Sequence, residues 1–402
     1  MKQVTRIYTR FLFLWWLIMG ISYTASGQIV ASAANLSYQL DPNADLHITH
    51  KVISNYLIMM EVKVRNETSF DSLVYELAFT NSLNTPISSD FAIANLAKFE
   101  LPVPENKRIY VFESAKEDVN YLIFRIGIKG SDAHFTYIIN LNISASFFIS
   151  KADLPIPFLA NYVPVNTPLK IAKPDGTHSN FSLQFYPKKF TPSLPPMANI
   201  KRDKSFGQAD TTFIIAADSV LLPNKEGMYS IFEEGNEKII SFLKISNKNY
   251  PQLSNIHEII EASIFLFTKK EKDKLTTSSN PKKDYDAFWL ENTNSAERAS
   301  KMIAAYFKRV KEANALFTTY KEGWKTDMGM IYIIFGSPSK IFRNEGSVEW
   351  VYNKTYELPN LNFKFYLKNG ATSEIFELER NIKYQNSWFR AIDLWRKGRK
   401  NL

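Results

Sequence analysis

Cysteine is absent from this chain of 402 residues. Its absence excludes disulfides, thiolate metal sites, a cysteine nucleophile and an N-terminal lipid-modified cysteine. Histidine is almost as scarce, with five copies at His47, His50, His134, His178 and His257. His47 and His50 are three apart, and on a strand that spacing sends them to opposite faces, so no metal-binding pair is expected. Beyond the N-terminus no run approaches the eighteen or so apolar residues that a membrane-crossing helix needs. The sequence has no Gly-x-Ser-x-Gly elbow, no His-Glu-x-x-His helix and no glycine-rich phosphate cradle. Asp41 to Asp45 (DPNAD) begins like a calcium loop but lacks the glycine and the distal glutamate of one. No cofactor and no metal are expected.

What is present begins with an address. Lys2, Arg6 and Arg10 form a positive start, Phe11 to Ile21 is an apolar run of eleven, and Ala25-Ser26-Gly27 offers the small residues of a cleavage site. Eleven residues span about 16 Å as a helix, short of a bilayer core of roughly 30 Å. Residues 1–27 are therefore expected to be a signal peptide, and the chain to be exported. Three of the nine net positive charges lie in that segment. Arg396, Lys397, Arg399 and Lys400 crowd the C-terminus, where a solvated, frayed end is expected. No nucleic-acid surface is evident, and membrane contact should be peripheral at most.

The chain length predicts two or three domains. Residues 28–150 read as strand after strand, with Leu57–Val64, Leu73–Phe79, Arg108–Phe112, Tyr121–Ile128 and Phe135–Ile143. Leu122, Phe124, Ile126 and Ile128 fall at every second position, the period of a strand with one buried face, which predicts an antiparallel β-sandwich. Residues 151–205 are proline-rich and read as a connecting region, with Val165–Ala172 and Asn180–Tyr186 as edge strands. A small second β module is expected over 206–268, with a hairpin loop at Glu233 to Glu237. From 269 to 402 the pattern changes. Ala299, Met302, Ile303, Tyr306, Val310, Ala313 and Phe317 recur at three and four residues, one stripe along a helix from Ala296 to Phe317. Strands are then predicted at Met330–Phe335, Val348–Tyr352, Leu361–Tyr366 and Ser373–Leu378, the last two joined by an Asn369-Gly370 turn, before a short helix from Trp388 to Trp395. The fold class is thus multi-domain: N-terminal all-β with sandwich-like antiparallel sheets, then an α+β domain with one long helix against a small antiparallel sheet.

The densest signal is Gly323-Trp324-Lys325-Thr326-Asp327. Gly323 can turn the chain, Trp324 can bury a large surface, and Thr326 and Asp327 can bond the amides of a tight turn. The expected role is a corner pinned by a buried tryptophan that fixes helix to sheet. Further blocks follow in order: Phe288-Trp289, Arg309-Val310, Ala313-Asn314, Phe317, Gly336-Ser337-Pro338, and Glu349-Trp350-Val351-Tyr352. Together, over about residues 282–380, they resemble the GWxTD-domain family of bacterial envelope proteins. The resemblance implies a Bacteroidetes-type source and an envelope location, in the periplasm, at the outer-membrane periphery or on the cell surface. In that family the Asp is usually followed by an Arg-Gly-Arg-like run, whereas Met328-Gly329-Met330 stands here. An anion contact made by those arginines would be lost, and Lys325 would be a poor substitute for bidentate arginine.

The functional expectation is a non-catalytic envelope protein that contacts a protein partner or a cell-wall component. The alternative is an envelope hydrolase acting on glycan or peptide, with Asp327 and Thr326 as its candidate catalytic groups and Glu349 or Arg309 assisting. A lone carboxylate lacks the second acid that glycoside hydrolysis requires.

Overall fold

The computed structural model describes residues 29–399 apart from 54–56, 66–68, 88–90, 94–105, 114–118, 132–133, 144–145, 155, 188–189, 200–207, 236–240 and 369–373. The expected signal segment and the Asn369-Gly370 turn lie outside the described residues.

Apart from the short antiparallel pair Ile29–Val30 and Pro86–Ile87, the N-terminal strands form two antiparallel sheets. One has β1 (Leu46–Val52) beside β2 (Leu57–Val64), with β3 (Leu73–Thr80) and β4 (Ala92–Ile93) going to the other sheet and β5 (Lys107–Glu113) returning to β2. The second sheet runs β4, β3, β6 (Tyr121–Ile128) and β7 (His134–Asn140). Leu46, Ile58, Met60 and Val62 from the first meet Leu122, Phe124, Ile126 and Ile139 from the second in one core, so the alternating pattern does build a sandwich. The expectation of one buried face fails for β6. Ile123, on its other side, is also fully buried, and with Ile138 it joins the core of the C-terminal region. The outer face of this sheet is therefore a docking surface. Leu36 N donates to Ile341 O at 2.8 Å, and Leu83 N donates to the Glu345 carboxylate at 3.2 Å across the same junction.

A second sandwich follows. One sheet has β8 (Phe148–Lys151), β10 (Leu169–Ala172) and β13 (Val220–Leu221); the other contains β9 (Tyr162–Pro164), β11 (Asn180–Tyr186), β12 (Thr211–Ala216), β14 (Gly227–Glu233) and β15 (Ser241–Ser246). In the latter the order is β9-β15-β14-β11-β12, so β11 is interior, and β10 likewise lies between β8 and β13. The edge position expected for these strands is corrected. The prolines that suggested it sit at strand ends, Pro168, Pro174 and Pro187 flanking β10 and β11 and Pro164 closing the edge strand β9, where a missing amide costs no ladder bond. β14 and β15 pair antiparallel, as a hairpin requires.

In the C-terminal region α1 (Ile256–Ala262), α2 (Lys269–Thr276) and α3 (Pro281–Thr293) lead into the long α4 (Ala296–Phe317). The apolar stripe of α4 faces inward: Ala299, Met302, Tyr306, Val310 and Ala313 are buried, and Ile303 and Phe317 pack against them. Residues 327–335 correct a prediction. They form a helix, α5 (Asp327–Phe335), where a strand was expected. The run Ile331 to Phe335 suits a strand by residue type, but Thr326 caps the helix by accepting from Gly329 N at 3.0 Å, and eight of the nine residues are buried. A helix that is apolar all round belongs to an interior, and its periodicity is invisible for that reason. The sheet β16 (Lys340–Asn344), β17 (Ser347–Tyr352), β18 (Leu361–Leu367), β19 (Phe376–Leu378) packs against it, and α6 (Gln385–Arg396) closes the chain.

The basic C-terminus is not frayed at Arg396. Its guanidinium pairs with both Glu271 oxygens at 2.7 and 2.8 Å, bonds the Leu266 carbonyl and lies over the Phe288 ring. Arg396, and then the Thr268 cap, hold Glu271 down at about 2. A carboxylate depressed on folding contributes stability that is full above its unfolded value and is lost as pH falls. Arg396→Met should therefore cost about 1–2 kcal/mol at neutral pH, a figure discounted for partial exposure of both side chains. In urea unfolding the difference should shrink between pH about 4.5 and pH about 2.

Candidate functional site

The corner after α4 is built around two close approaches. Gly323 opens a 3-10 turn, Gly323–Lys325, and a Cβ placed on it would lie 1.9 Å from the Ala313 carbonyl oxygen. Gly323 turns the chain without a positive φ; what the position requires is the absence of a side chain. Asn314, wholly buried on α4, accepts from Trp324 N at 3.1 Å and donates to Pro251 O at 2.9 Å. Thr318 accepts from Gly323 N at 3.1 Å and also bonds the Tyr250 hydroxyl. The indole of Trp324 is 2 % exposed and meets Phe265 edge-on. The buried peg is present.

Lys325 and Asp327 behave differently from expectation. Lys325 is 1 % exposed, and its ammonium lies 3.2 Å from Glu322 and 3.3 Å from Glu261, so it is committed inside the fold and cannot stand in for an anion-binding arginine. Burial alone would raise Glu322, but Lys244 and Lys325 together hold it down at about 2. Asp327 does not bond the amides of its own turn; Thr326 does that. The Asp327 carboxylate reaches across to the C-terminal strand, accepting from Leu378 N at 2.8 Å and from two Arg380 nitrogens at 2.5 and 3.3 Å. Arg380 also donates to Leu194 O at 3.2 Å, which ties the proline-rich segment to the same point.

The remaining motif residues are spread along α5 and the sheet. Arg309 donates to Ile333 O at 3.2 Å and lies over the Trp395 ring, a cation at the end of a helix where exposed carbonyls favour one. Gly336 ends α5 at φ 90°, and Tyr352 donates to its carbonyl at 2.8 Å. Pro338 is buried beside it. Trp350 is 1 % exposed and packs between Phe317 and Phe365. Glu349 alternates to the other side of β17 and accepts from Asn362 at 3.0 Å. The groups named for a hydrolase are therefore not gathered. Asp327 and Thr326 adjoin, but Arg309 and Glu349 face elsewhere.

A cavity of about 1070 Å³ opens where the first sandwich, the second sandwich and the C-terminal region meet. Thr326, Asp327 and Met328 form part of its wall, together with His50 and Lys51 on the edge strand β1 and Arg343 of β16. Met328 faces this space while Met330 is fully buried, so where the family resemblance places arginines the wall here is apolar at one position and the core continues at the other. Two ion pairs line the wall besides Asp327–Arg380: Arg343 with Glu374, bidentate, and Lys368 with Glu377 at 3.7 Å. Burial pushes Lys51 down to about 8, and its ammonium donates to Phe158 O at 3.2 Å. Burial lowers His50, with Glu374 opposing the shift and Arg343 adding to it. Burial, then Glu377 and Asp327, raise Tyr320 to about 12.

Residues 227–397 match the family model of the GWxTD domain. The chain carries a GWxTD domain. The match starts well before the stretch 282–380 that the motifs suggested, so the GWxTD domain takes in the hairpin β14–β15 and all three short helices ahead of α4. No protein of curated function matches the chain. Within the GWxTD domain the sequence pointed to the corner but missed Arg380, because an arginine just after a short strand carries no local signal of its partner 53 positions away. Lys51 and Thr319 also line the cavity, and nothing local in the sequence reports that. Of the two histidines weighed, both lie on β1, and only His50 reaches the cavity. Asp41 of the calcium-like stretch accepts from Asn43 N at 2.9 Å, and among the described residues no three His, Asp or Glu side chains gather as a metal site would need.

Proposed function

We propose that this is an exported, non-catalytic protein of the cell envelope, whose β-sandwiches and GWxTD domain together form a receptor for a protein partner or a cell-wall component. The signal-like N-terminus supports export. The single observation that carries the rest is the position of Asp327. The one acid that could serve a hydrolase already accepts a buried amide and a bidentate arginine, and neither assisting group approaches it. A general base needs a lone pair aimed at its substrate. Binding needs only an accessible concave surface with a few polar groups, and the cavity at the three-way junction supplies that. Carbohydrate capture by a sandwich face has less support, since the exposed aromatics among the described residues, Tyr356, Tyr366 and Phe389, lie outside both sandwiches.

Leu316 is 46 % exposed at the cavity wall, a convenient place to block. Affinity capture with the full chain from solubilised envelopes should recover a partner or wall fragment, and Leu316→Trp should lower that recovery several-fold without lowering the melting temperature. Recovery of the chain alone as a monomer would count against the receptor reading.

A further inference from the structure

We propose that the central cavity binds an anionic ligand through carboxylate or phosphate oxygens, anchored by Lys51, Thr319 and Arg380. This inference rests on the cavity being the receptor site and adds the chemistry of what enters it.

Charge is the first support. Lys51, Lys321, Arg343, Lys368 and Arg380 line the cavity against three carboxylates, Asp327, Glu374 and Glu377. Each of those acids is already paired, with Arg380, Arg343 and Lys368 respectively, so Lys51 leaves a cationic surplus in the lining. Low-dielectric walls concentrate such a surplus on whatever occupies the space.

Unused donors are the second support. Thr319 is 8 % exposed, and its hydroxyl has no hydrogen-bond partner among the described residues. Arg380 spends its two terminal nitrogens on Asp327, Leu194 and Leu378, yet its Nε is buried with no partner among the described residues. Buried polar atoms are nearly always satisfied, and an orphan that lines a cavity points to an occupant that satisfies it. Lys51 has three N–H donors; one goes to the Phe158 carbonyl, and no carboxylate among the described residues pairs with it. Lysine and arginine only donate, so the complementary atoms on a ligand are acceptors, and negative ones gain most.

The three anchors come from β1, from the segment after α4, and from the segment after β19. A ligand touching all of them joins the first sandwich to the GWxTD domain. That arrangement gives a role to an ammonium without a carboxylate at position 51, where burial depresses it. Groups held in a costly state for binding lower stability in the empty protein.

The test is isothermal titration of the full chain with two probes, inorganic pyrophosphate and a glutamate tripeptide, at low and high salt. At least one should bind, more weakly at high salt, and the arm that binds identifies phosphate or carboxylate as the group recognised. Lys51→Met and Thr319→Val should each weaken that binding by about tenfold or more. Without ligand, Lys51→Met should raise the melting temperature by about 2–4 °C. If that variant does not fold, Thr319→Val, which keeps shape and removes only the hydroxyl, decides alone. Binding of neither anion, or binding untouched by Thr319→Val, overturns the proposal. A partner still captured from envelopes in that event leaves the receptor reading intact and refutes only the anionic occupant.

Discussion

Gly323→Ala should prevent the C-terminal region from folding cooperatively. The methyl group would sit 1.9 Å from the Ala313 carbonyl oxygen, 2.6 Å from its carbon and 2.7 Å from the Asn314 Cα. All three are backbone atoms of a 22-residue helix, so no side chain can rotate away and the corner itself would have to shift. That shift would break the Asn314–Trp324 and Thr318–Gly323 bonds together and lift the indole from Phe265. The expected loss exceeds about 4 kcal/mol, the range in which single substitutions usually reflect a named steric failure. Gly346→Ala is the control. Its φ of 72° carries strain, but nothing lies within 4 Å of the added carbon, and a loss of about 1–2 kcal/mol is expected. Urea unfolding followed by circular dichroism distinguishes the two.

Lys325→Met should cost about 3–5 kcal/mol, the usual consequence of removing one partner from a buried charge cluster. Glu322, whose side chain is 14 % exposed, would keep Lys244 but lose its second cation, and Glu261 would lose its contact with the corner. The effect carries a pH signature. Glu322 is depressed to about 2 in the folded chain, so its contribution is present above its unfolded value and disappears as pH falls toward 2. The gap between wild type and Lys325→Met in urea midpoints should therefore be widest near neutrality and narrow below pH about 4.5. A gap that is constant across that range would assign the loss to packing against Trp324 instead of to charge.

Much of this could be read from residues alone, and the failures have physical causes. Alternation marked β6 as a strand although both its faces are buried, and a 3–4 repeat marked α4 with its ends at Ala296 and Phe317, because that helix presents one apolar stripe that local spacing records. α5 was misread because burial on every side erases periodicity, although Thr326 before it and Gly336 after it are ordinary helix punctuation. The interior strands of the proline-rich stretch were misread because proline excludes a strand only where its missing amide is needed. Trp324 was legible as a buried peg, since a large aromatic beside a glycine at a turn has few other places to go. Lys325 was not, because an acid three residues away, as Glu322 is, is equally common on a surface, and its other partner, Glu261, lies 64 positions earlier in sequence and 3.3 Å away in space. The cavity was wholly illegible. Its walls come from three regions, and nothing local reports a space between them.

The decisive measurement is the stability of Asp327→Asn and Arg380→Met, alone and combined, alongside a cellular readout of each. If the corner is architecture, both single variants lose about 2–4 kcal/mol, the double variant loses less than their sum by at least about 1 kcal/mol, and folded Asp327→Asn still captures its partner. An Asp327→Asn protein that unfolds with wild-type free energy yet has no function in the cell would contradict this and make Asp327 a catalytic group.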